Sequence, residues 1–514
     1  MTPRAREARR PVRARSRLAI DVPAALNLVG ALVAYFAAAF LFPLAAALWY
    51  GESPWPFLLP GLAAGSFGLA LERLTSGKDR VGAREGYLVV SLVWLLVAVF
   101  GSLPYLLSGE EQLTSPVDAL FESMSGFTTT GSSVLTDIPA LDRSMLMYRQ
   151  FTQWVGGMGI VVLALAILPR LRVGGRQALF QTEAPGPELA TLTGTIRATA
   201  RRFVVLYVGL TVAQIAVLAL FALTAIDDRM TLFDAVAHAF TTIPTGGFSP
   251  RARSIEEFGA ASQWAIVLFM VLGGTSFALL YLGVLRRRPR VFARDDEFKA
   301  YLFVLAAASV LVLAELATEG IASGEAAVRH AVFNTVSIFT TTGYANADFN
   351  EWTGLTTFVL VGGMLVSASA GSTAGGIKLV RHVVIAKVLR RELDRTLHPE
   401  LVVPVRANGT VLDERSLQAV VAFAFLYVGT LAVGALVLLA DSARAGVPLS
   451  PFEALAATAT ALASVGPGFG FAGPMGSFEP FSDVSKCVLT ALMWLGRLEI
   501  IPIVVLFTRS YWRA

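Results

Sequence analysis

Apolar runs long enough to cross a membrane recur along the chain, near residues 24–50, 55–74, 86–108, 144–169, 203–226, 262–285, 300–319, 353–388, 416–440 and 484–508. A hydrocarbon core asks for about 20 apolar residues in helical form, so the pattern predicts ten candidate spans. Four connections between them carry a second, shorter apolar segment: 116–127, 232–242, 326–339 and 450–463. Each is too short to cross, and in lipid an irregular backbone is tolerated only where protein buries it or where it lines water. These segments are predicted to be re-entrant half-helices. The unit is then span, half-helix, loop, span, repeated four times, with the first two spans left over as an extra pair.

Charge fits one threading of this pattern. Arg73, Lys78, Arg80, Arg84, Arg170, Arg172, Arg176, Arg201, Arg202, Arg286 to Arg288 and the basic stretch from Lys378 to Arg415 fall on one side. Glu110, Glu111, Asp137, Asp227, Asp228, Glu319 and Glu351 fall on the other. By the positive-inside rule the first side is cytoplasmic, and with it both termini. The arginine-dense leader "MTPRAREARRPVRARSR" is therefore expected to be a cytoplasmic tail rather than a nucleic-acid binder, and the apolar stretch after it is too long for a signal-peptide core.

Composition agrees. The chain has 514 residues, 55% hydrophobic and only 15% charged, where a soluble protein carries about a quarter charged residues. Its mean hydropathy is +0.63. A single cysteine, Cys487, excludes an intrachain disulfide and a cysteine metal cluster. The fold class predicted is an all-α polytopic membrane protein, with four span, pore-helix, span repeats in a pseudo-fourfold arrangement around a central pore and two extra N-terminal helices. Its parts are a basic tail (1–23), the extra pair (24–80) and repeats over 81–175, 195–290, 295–395 and 410–514.

Each half-helix ends in a related tetrad: "TTTG" at Thr128–Gly131, "IPTG" at Ile243–Gly246, "TTTG" at Thr340–Gly343 and "ASVG" at Ala463–Gly466. One such turn is commonplace; four in phase with four span pairs describe a filter. Rings of backbone carbonyls can replace the hydration shell of a monovalent cation, and half-helix C-termini aimed inward favour positive charge. The tetrads carry no acid, which disfavours a divalent-cation pore. The expected filter residues are Thr129, Thr130, Gly131, Pro244, Thr245, Gly246, Thr341, Thr342, Gly343, Ser464, Val465 and Gly466.

The run from 353 to 391 would be almost twice the membrane thickness as one helix, so a break is predicted. Its middle, "ASAGSTAGGIK", is built of small residues, and Ala370, Gly371, Ser372, Thr373, Ala374, Gly375 and Gly376 are expected to unwind into a gate loop below the third filter loop. A tight helix contact built on small residues is the alternative. "GSTAGGIK" lacks the lysine and hydroxyl placement of a phosphate loop, and "GFGFAG" at Gly468–Gly473 follows no strand.

In "WLGRLEIIPIVVLF", Arg497 is expected to face the pore as an electrostatic barrier to cations, or to pair with Glu499 or another acid. Glu122, Asp234 and Glu453 read as acids stabilising half-helix N-termini. His238 has no second ligand at helical spacing and reads as a packed core residue. An intramembrane enzyme using His238, His330 or His382 is disfavoured, because the serines cluster in glycine-rich loops with no paired histidine.

The segments "QWVGGMGIVVLALAILP", "TTIPTGGFS", "FTTTGYAN", "AGSTAGGIK" and "MWLGRLEI", in this order over nearly the whole chain, resemble the Trk/Ktr/HKT superfamily of potassium transporters. The extra N-terminal pair makes the bacterial Trk membrane subunits the nearest group. The resemblance implies potassium uptake across the bacterial inner membrane by a homodimer with one pore per protomer. It also implies filter glycines at Gly131, Gly246, Gly343 and Gly466, a gate at about Ala370–Gly376, and a pore arginine at Arg497. The partner it implies is a cytosolic nucleotide-binding regulatory ring of TrkA type, with Arg286–Arg294 and Arg381–Arg395 as docking surfaces. No cofactor and no nucleic acid is expected, and potassium is the substrate. A sodium-permeable or proton- or sodium-coupled member is the alternative, because Pro244 and "ASVGPG" depart from the family pattern. Uptake of this kind needs no ATP: one charge crossing 100 mV gains about 2.3 kcal/mol, about a forty-fold accumulation.

Overall fold

A computed structural model describes residues 20–75, 82–166 and 196–513. Most of the predicted basic tail, together with Lys78, Arg80, Arg170, Arg172 and Arg176, lies outside the described residues. The helices in chain order are α1 (Val22–Phe36), α2 (Leu41–Tyr50), α3 (Trp55–Leu74), α4 (Ala83–Leu107), α5 (Pro116–Phe127) and α6 (Arg143–Ala166). Next come α7 (Ile196–Leu223), α8 (Leu232–Thr242), α9 (Ala260–Gly273), α10 (Phe277–Leu280), α11 (Arg290–Arg294), α12 (Asp296–Thr318) and α13 (Gly324–Phe339). They are followed by α14 (Gly354–Val366), α15 (Leu379–Leu397), a hairpin of β1 (Arg406–Ala407) and β2 (Thr410–Val411), and α16 (Glu414–Ala445). The chain closes with α17 (Pro451–Ala463), α18 (Asp483–Arg497), α19 (Ile501–Leu506) and α20 (Arg509–Trp512).

The short helices α5, α8, α13 and α17 occupy the predicted half-helix positions, and three have starts written in their sequence. Ser115 accepts from Asp118 N ahead of α5, while Thr231 with Asp234 and Ser450 with Glu453 form reciprocal capping boxes ahead of α8 and α17. Pro116 and Pro451 stand in the first turn, where a missing N–H costs nothing.

Each half-helix packs between the two long helices of its own repeat: α5 between α4 and α6, α8 between α7 and α9, α13 between α12 and α14, α17 between α16 and α18. The second long helix of every repeat also packs on the half-helix of the next, α6 on α8, α9 on α13, α14 on α17 and α18 back on α5. This last contact closes a ring. The extra pair α1/α3 lies outside it against α4, crossing so closely at Gly30 and Gly68 that a Cβ on either would meet the other's carbonyl oxygen at 2.7 Å.

Among the described residues six helices have the length and hydropathy to cross a membrane, where ten were expected. The difference has physical causes. The segment 260–285 is bent by 102° between α9 and α10. The last run breaks at 498–500, where Glu499 and Ile500 take φ of 61° and 56°. The run from 354 breaks over 367–378, as predicted. Helix α6 carries Arg149, Gln150 and Gln153, all buried against protein rather than lipid.

The hairpin turns at Asn408 and Gly409, with φ of 46° and 80°, the conformation that a two-residue turn requires. Asn408 donates to Asp295 Oδ2 at 2.9 Å and accepts from Asp296 N at 2.8 Å, which docks the turn on the start of α12. Val405, Ala407 and Leu412 pack in one apolar cluster with Val380, Val384, Leu417, Val420 and Ala370.

Candidate functional site

The four loops beyond the half-helices share one hydrogen-bond register. Thr130 N, Gly246 N, Thr342 N and Val465 N donate to Ser125 O, Thr241 O, Ser337 O and Thr460 O, at 2.8, 2.8, 2.8 and 3.0 Å. The residue before each donor lies in the left-handed region: Thr129 (52°), Thr245 (54°), Thr341 (56°) and Ser464 (56°). A glycine with positive φ follows each donor: Gly131 (88°), Gly247 (79°), Gly343 (82°) and Gly466 (114°).

Those four glycines interlock. A Cβ on Gly131 would strike Gly246 O, one on Gly247 would strike Thr342 O, and one on Gly343 would strike Val465 O; on Gly466 it would stand 2.9 Å from Thr130 O. Loop one meets two, two meets three, three meets four and four meets one. Only glycine fits positions that need both the left-handed backbone and an approach this close.

The register corrects the reading of the second loop. Aligning "IPTG" with "TTTG" puts Gly246 beside Gly131, but the hydrogen bonds put Gly247 there and make Gly246 the counterpart of Thr130. The structural set in this loop is Thr245, Gly246 and Gly247, and Pro244 falls one place early. Pro244, with no N–H, stands where Thr128 N and Thr340 N donate to Met124 O and Val336 O, so the proline holds the place of a threonine and letter matching slips by a residue.

Side chains brace the ring from behind. Gln153 on α6 donates to Gly246 O at 2.7 Å and accepts from Phe248 N at 3.1 Å. Arg149, one turn earlier, pairs with Glu122 at 2.5 Å, donates to Ser249 O at 3.0 Å and lies over the Phe248 ring at 3.5 Å. Ser132 donates to Gly466 O at 2.7 Å. Tyr344 reaches from the third loop to Thr241 and to His238 O on the second half-helix. Glu122 is therefore not a helix-start acid: it lies well inside α5 and binds the chain leaving the first loop, while Asp234 and Glu453 do cap their helices.

The segment 367–378 lies against the helix-side ends of three of the loops. Thr373 Oγ1 donates to Ile243 O at 2.9 Å, and Gly375 N donates to Thr341 Oγ1 at 2.8 Å. A Cβ on Gly375 would strike Ala463 O. Positive φ at Gly371 (72°) and Gly376 (64°) turns the chain at both ends. The segment is non-helical and multiply hydrogen-bonded rather than a small-residue helix contact. It is held on one side by the bend after α9, through Phe277 N to Gly371 O and Ser369 N to Gly274 O, both 3.1 Å. From the other side Arg497 Nη1 donates to Thr373 O at 2.9 Å.

Glu499 does not pair with Arg497. Its carboxylate binds Arg381 at 2.6 Å, and the Arg381 guanidinium stacks over Phe423 at 3.9 Å. Arg497 is buried, and its Nε and Nη2 find no partner among the described residues.

Sequence reasoning missed Arg149, Gln153, Gly247 and Glu297. The first two were legible as polar residues in an apolar run. Glu297, in the first turn of α12, accepts from Ala370 N at 2.6 Å and Val380 N at 3.3 Å, and so ties the segment 367–378 to the start of α15; nothing in its spacing announced this.

Comparison with known proteins places these features in context. The TrkH profile, described as a cation transport protein, matches residues 60–513. The Trk system potassium uptake protein TrkH of Halomonas elongata is 36% identical over 492 residues, covering 95% of this chain and 98% of that protein. Its namesake from Escherichia coli is 35% identical over 494 residues, with coverage of 95% and 98%. The crystal structure of the potassium transporter TrkH from Vibrio parahaemolyticus superposes with a TM-score of 0.85 at 32% identity, over 96% of this chain and 99% of that one.

Proposed function

The chain belongs to the TrkH family of cation transport proteins, and from that premise we propose that it takes up potassium through the ring of four loops, with 367–378 as the gate. The observation that carries the reading is the cyclic interlock of Gly131, Gly247, Gly343 and Gly466 with the carbonyls of neighbouring loops. It sets the carbonyls of Thr130, Gly246, Thr342 and Val465 each against the glycine of a neighbouring loop, which supports reading them as the ring that binds a dehydrated monovalent cation.

Three contacts support reading the segment 367–378 as the gate. Thr373 and Gly375 bond to the second and third loops, and the positive charge of Arg497 beside them repels a cation leaving the filter. Opening requires the segment to leave Ile243, Thr341, Glu297 and Arg497 together. The membrane is the bacterial inner membrane, with both termini cytoplasmic, and the protein is a homodimer regulated by a cytosolic nucleotide-binding subunit of TrkA type. The basic positions from Arg286 to Arg294 and from Arg381 to Arg395 support a cytoplasmic docking face.

The test is rubidium uptake in a bacterium stripped of its own potassium uptake systems, with and without the regulatory subunit. Uptake blocked by excess potassium but not by sodium supports the reading. Equal block by sodium would overturn potassium selectivity, and uptake indifferent to the subunit would overturn the regulatory half.

A further inference from the structure

Nine residues ahead of the interlocking glycines Gly131, Gly247 and Gly343 stand Glu122, His238 and Asn334, three different polar side chains at one register position on three half-helices. All three are fully buried. Ahead of Gly466 the same position holds Ala457.

Each polar side chain reaches past the filter to the chain leaving it. Glu122 accepts from Ser133 Oγ and Val134 N, both at 3.1 Å. His238 Nε2 meets Ser249 Oγ at 3.0 Å, and its Nδ1 lies 2.8 Å from Asp234 O. A carbonyl can only accept, so Nδ1 carries the proton and Nε2 accepts from the serine hydroxyl. Asn334 donates to Asn346 Oδ1 at 2.7 Å and accepts from Asn346 N at 3.4 Å. Ser133 and Ser249 occupy one register position, and Val134 and Asn346 the next. The fourth loop has no such tie: Gly468 takes the serine position, and a Cβ there would lie 3.7 Å from the Ala457 Cα. Small residue against small residue lets the loop rest directly on its helix.

We propose that Glu122, His238 and Asn334 are positioning residues for selectivity, each fixing the outer end of one filter wall against its half-helix. The proposal rests on the filter reading above. Carbonyl rings discriminate potassium from the smaller sodium through the spacing and number of oxygens they present, so a wall free to close by a few tenths of an ångström favours sodium. Buried hydrogen bonds to the segment just beyond the ring oppose that closure, whereas contacts elsewhere on the half-helix do not. Three walls are tied in this way; the fourth, whose Gly466 carbonyl accepts from Ser132 Oγ, rests directly on its half-helix.

The test measures, in the full-length protein, the ratio of sodium to potassium concentrations that halve rubidium uptake. Asn334→Leu removes a tie without leaving a buried charge, and His238→Phe removes another while keeping an aromatic ring beside Phe258 and Tyr344. Each is expected to lower the ratio by about tenfold while rubidium still enters, the size of effect that losing one buried hydrogen bond can produce. Cys487→Ser, at an exposed position of α18 away from the loops, is expected to leave the ratio within about twofold of the parent. Gly343→Ser, which drives a Cβ into Val465 O, is the control for the filter itself. A collapsed ratio in the control with unchanged ratios in both Asn334→Leu and His238→Phe would overturn the proposal and leave the filter standing. An unchanged ratio in the control would sink the filter reading and the proposal together.

Discussion

Arg497 Nη1 donates to the carbonyl oxygen of Thr373 across 2.9 Å, so the last long helix holds the segment 367–378, the proposed gate, beside the four loops. A hydrogen bond from a charged donor contributes about 1.5–3 kcal/mol. Arg497→Met removes both that bond and the positive charge, and rubidium uptake without the regulatory subunit should rise by about tenfold or more. Uptake at the parental level in a membrane-inserted variant would show that Arg497 neither latches the gate nor bars the pore.

The second loop offers a direct check of register. A Cβ on Gly247 meets the Thr342 carbonyl with φ at 79°, whereas one on Gly246 meets the end of the Gln153 side chain, which can move. Gly247→Ala should therefore impair potassium-over-sodium discrimination far more than Gly246→Ala. The reverse order, measured as sodium block of rubidium uptake, would restore the alignment of "IPTG" with "TTTG".

Glu297 bonds the amide of Ala370 within the proposed gate and that of Val380 in the first turn of the helix after it. Glu297→Ala leaves both amides without their acceptor and should raise uptake without the regulatory subunit by about tenfold, while Glu297→Gln, retaining an oxygen, should fall between it and the parent. Equal uptake in all three proteins would remove Glu297 from the gate.

Burial lifts the Asp295 carboxyl above the usual carboxylate range, against the bonds from Phe298 N and Asn408 and with a smaller push from Asp296. A carboxyl whose folded pKa is raised binds protons more tightly in the folded protein than in the unfolded chain, so its contribution to stability is fully present in acid, is lost as pH climbs from the ordinary carboxylate range through the raised value, and is flat above it. The gain in thermal unfolding midpoint between about pH 7 and about pH 4 should therefore be larger in the parent than in Asp295→Asn. An equal pH dependence in the two proteins would refute the coupling.

The half-helices were legible because their lengths are physically diagnostic: an apolar segment such as 232–242, between runs that do cross, has few places to lie in lipid. The break at 367–378 was legible for the complementary reason, an apolar run too long to be straight. The bend after Gly273 and the break at Glu499 were not. Gly273, Gly274 and Ser276 weaken a helix without saying how it turns, and it is the hydrogen bonds from Ser369 and Phe277, far apart in sequence, that fix the bend. Glu122 was misread because an acid near a helix start resembles a cap until its partners Val134 and Arg149 are known. Cross-chain partnerships of this kind leave no local pattern.

The segment 367–378 belongs to one repeat only, yet it touches the second, third and fourth loops at Ile243, Thr341 and Ala463. A pore assembled from four identical subunits would carry four such obstructions, and its opening would pass through partly cleared states. On the proposed reading a single stretch of backbone gates one path, and Arg497, Glu297 and the bend after α9 hold it from three directions. Freeing it is one event per pore, so recordings from a single pore should step between two current levels with no intermediate conductances.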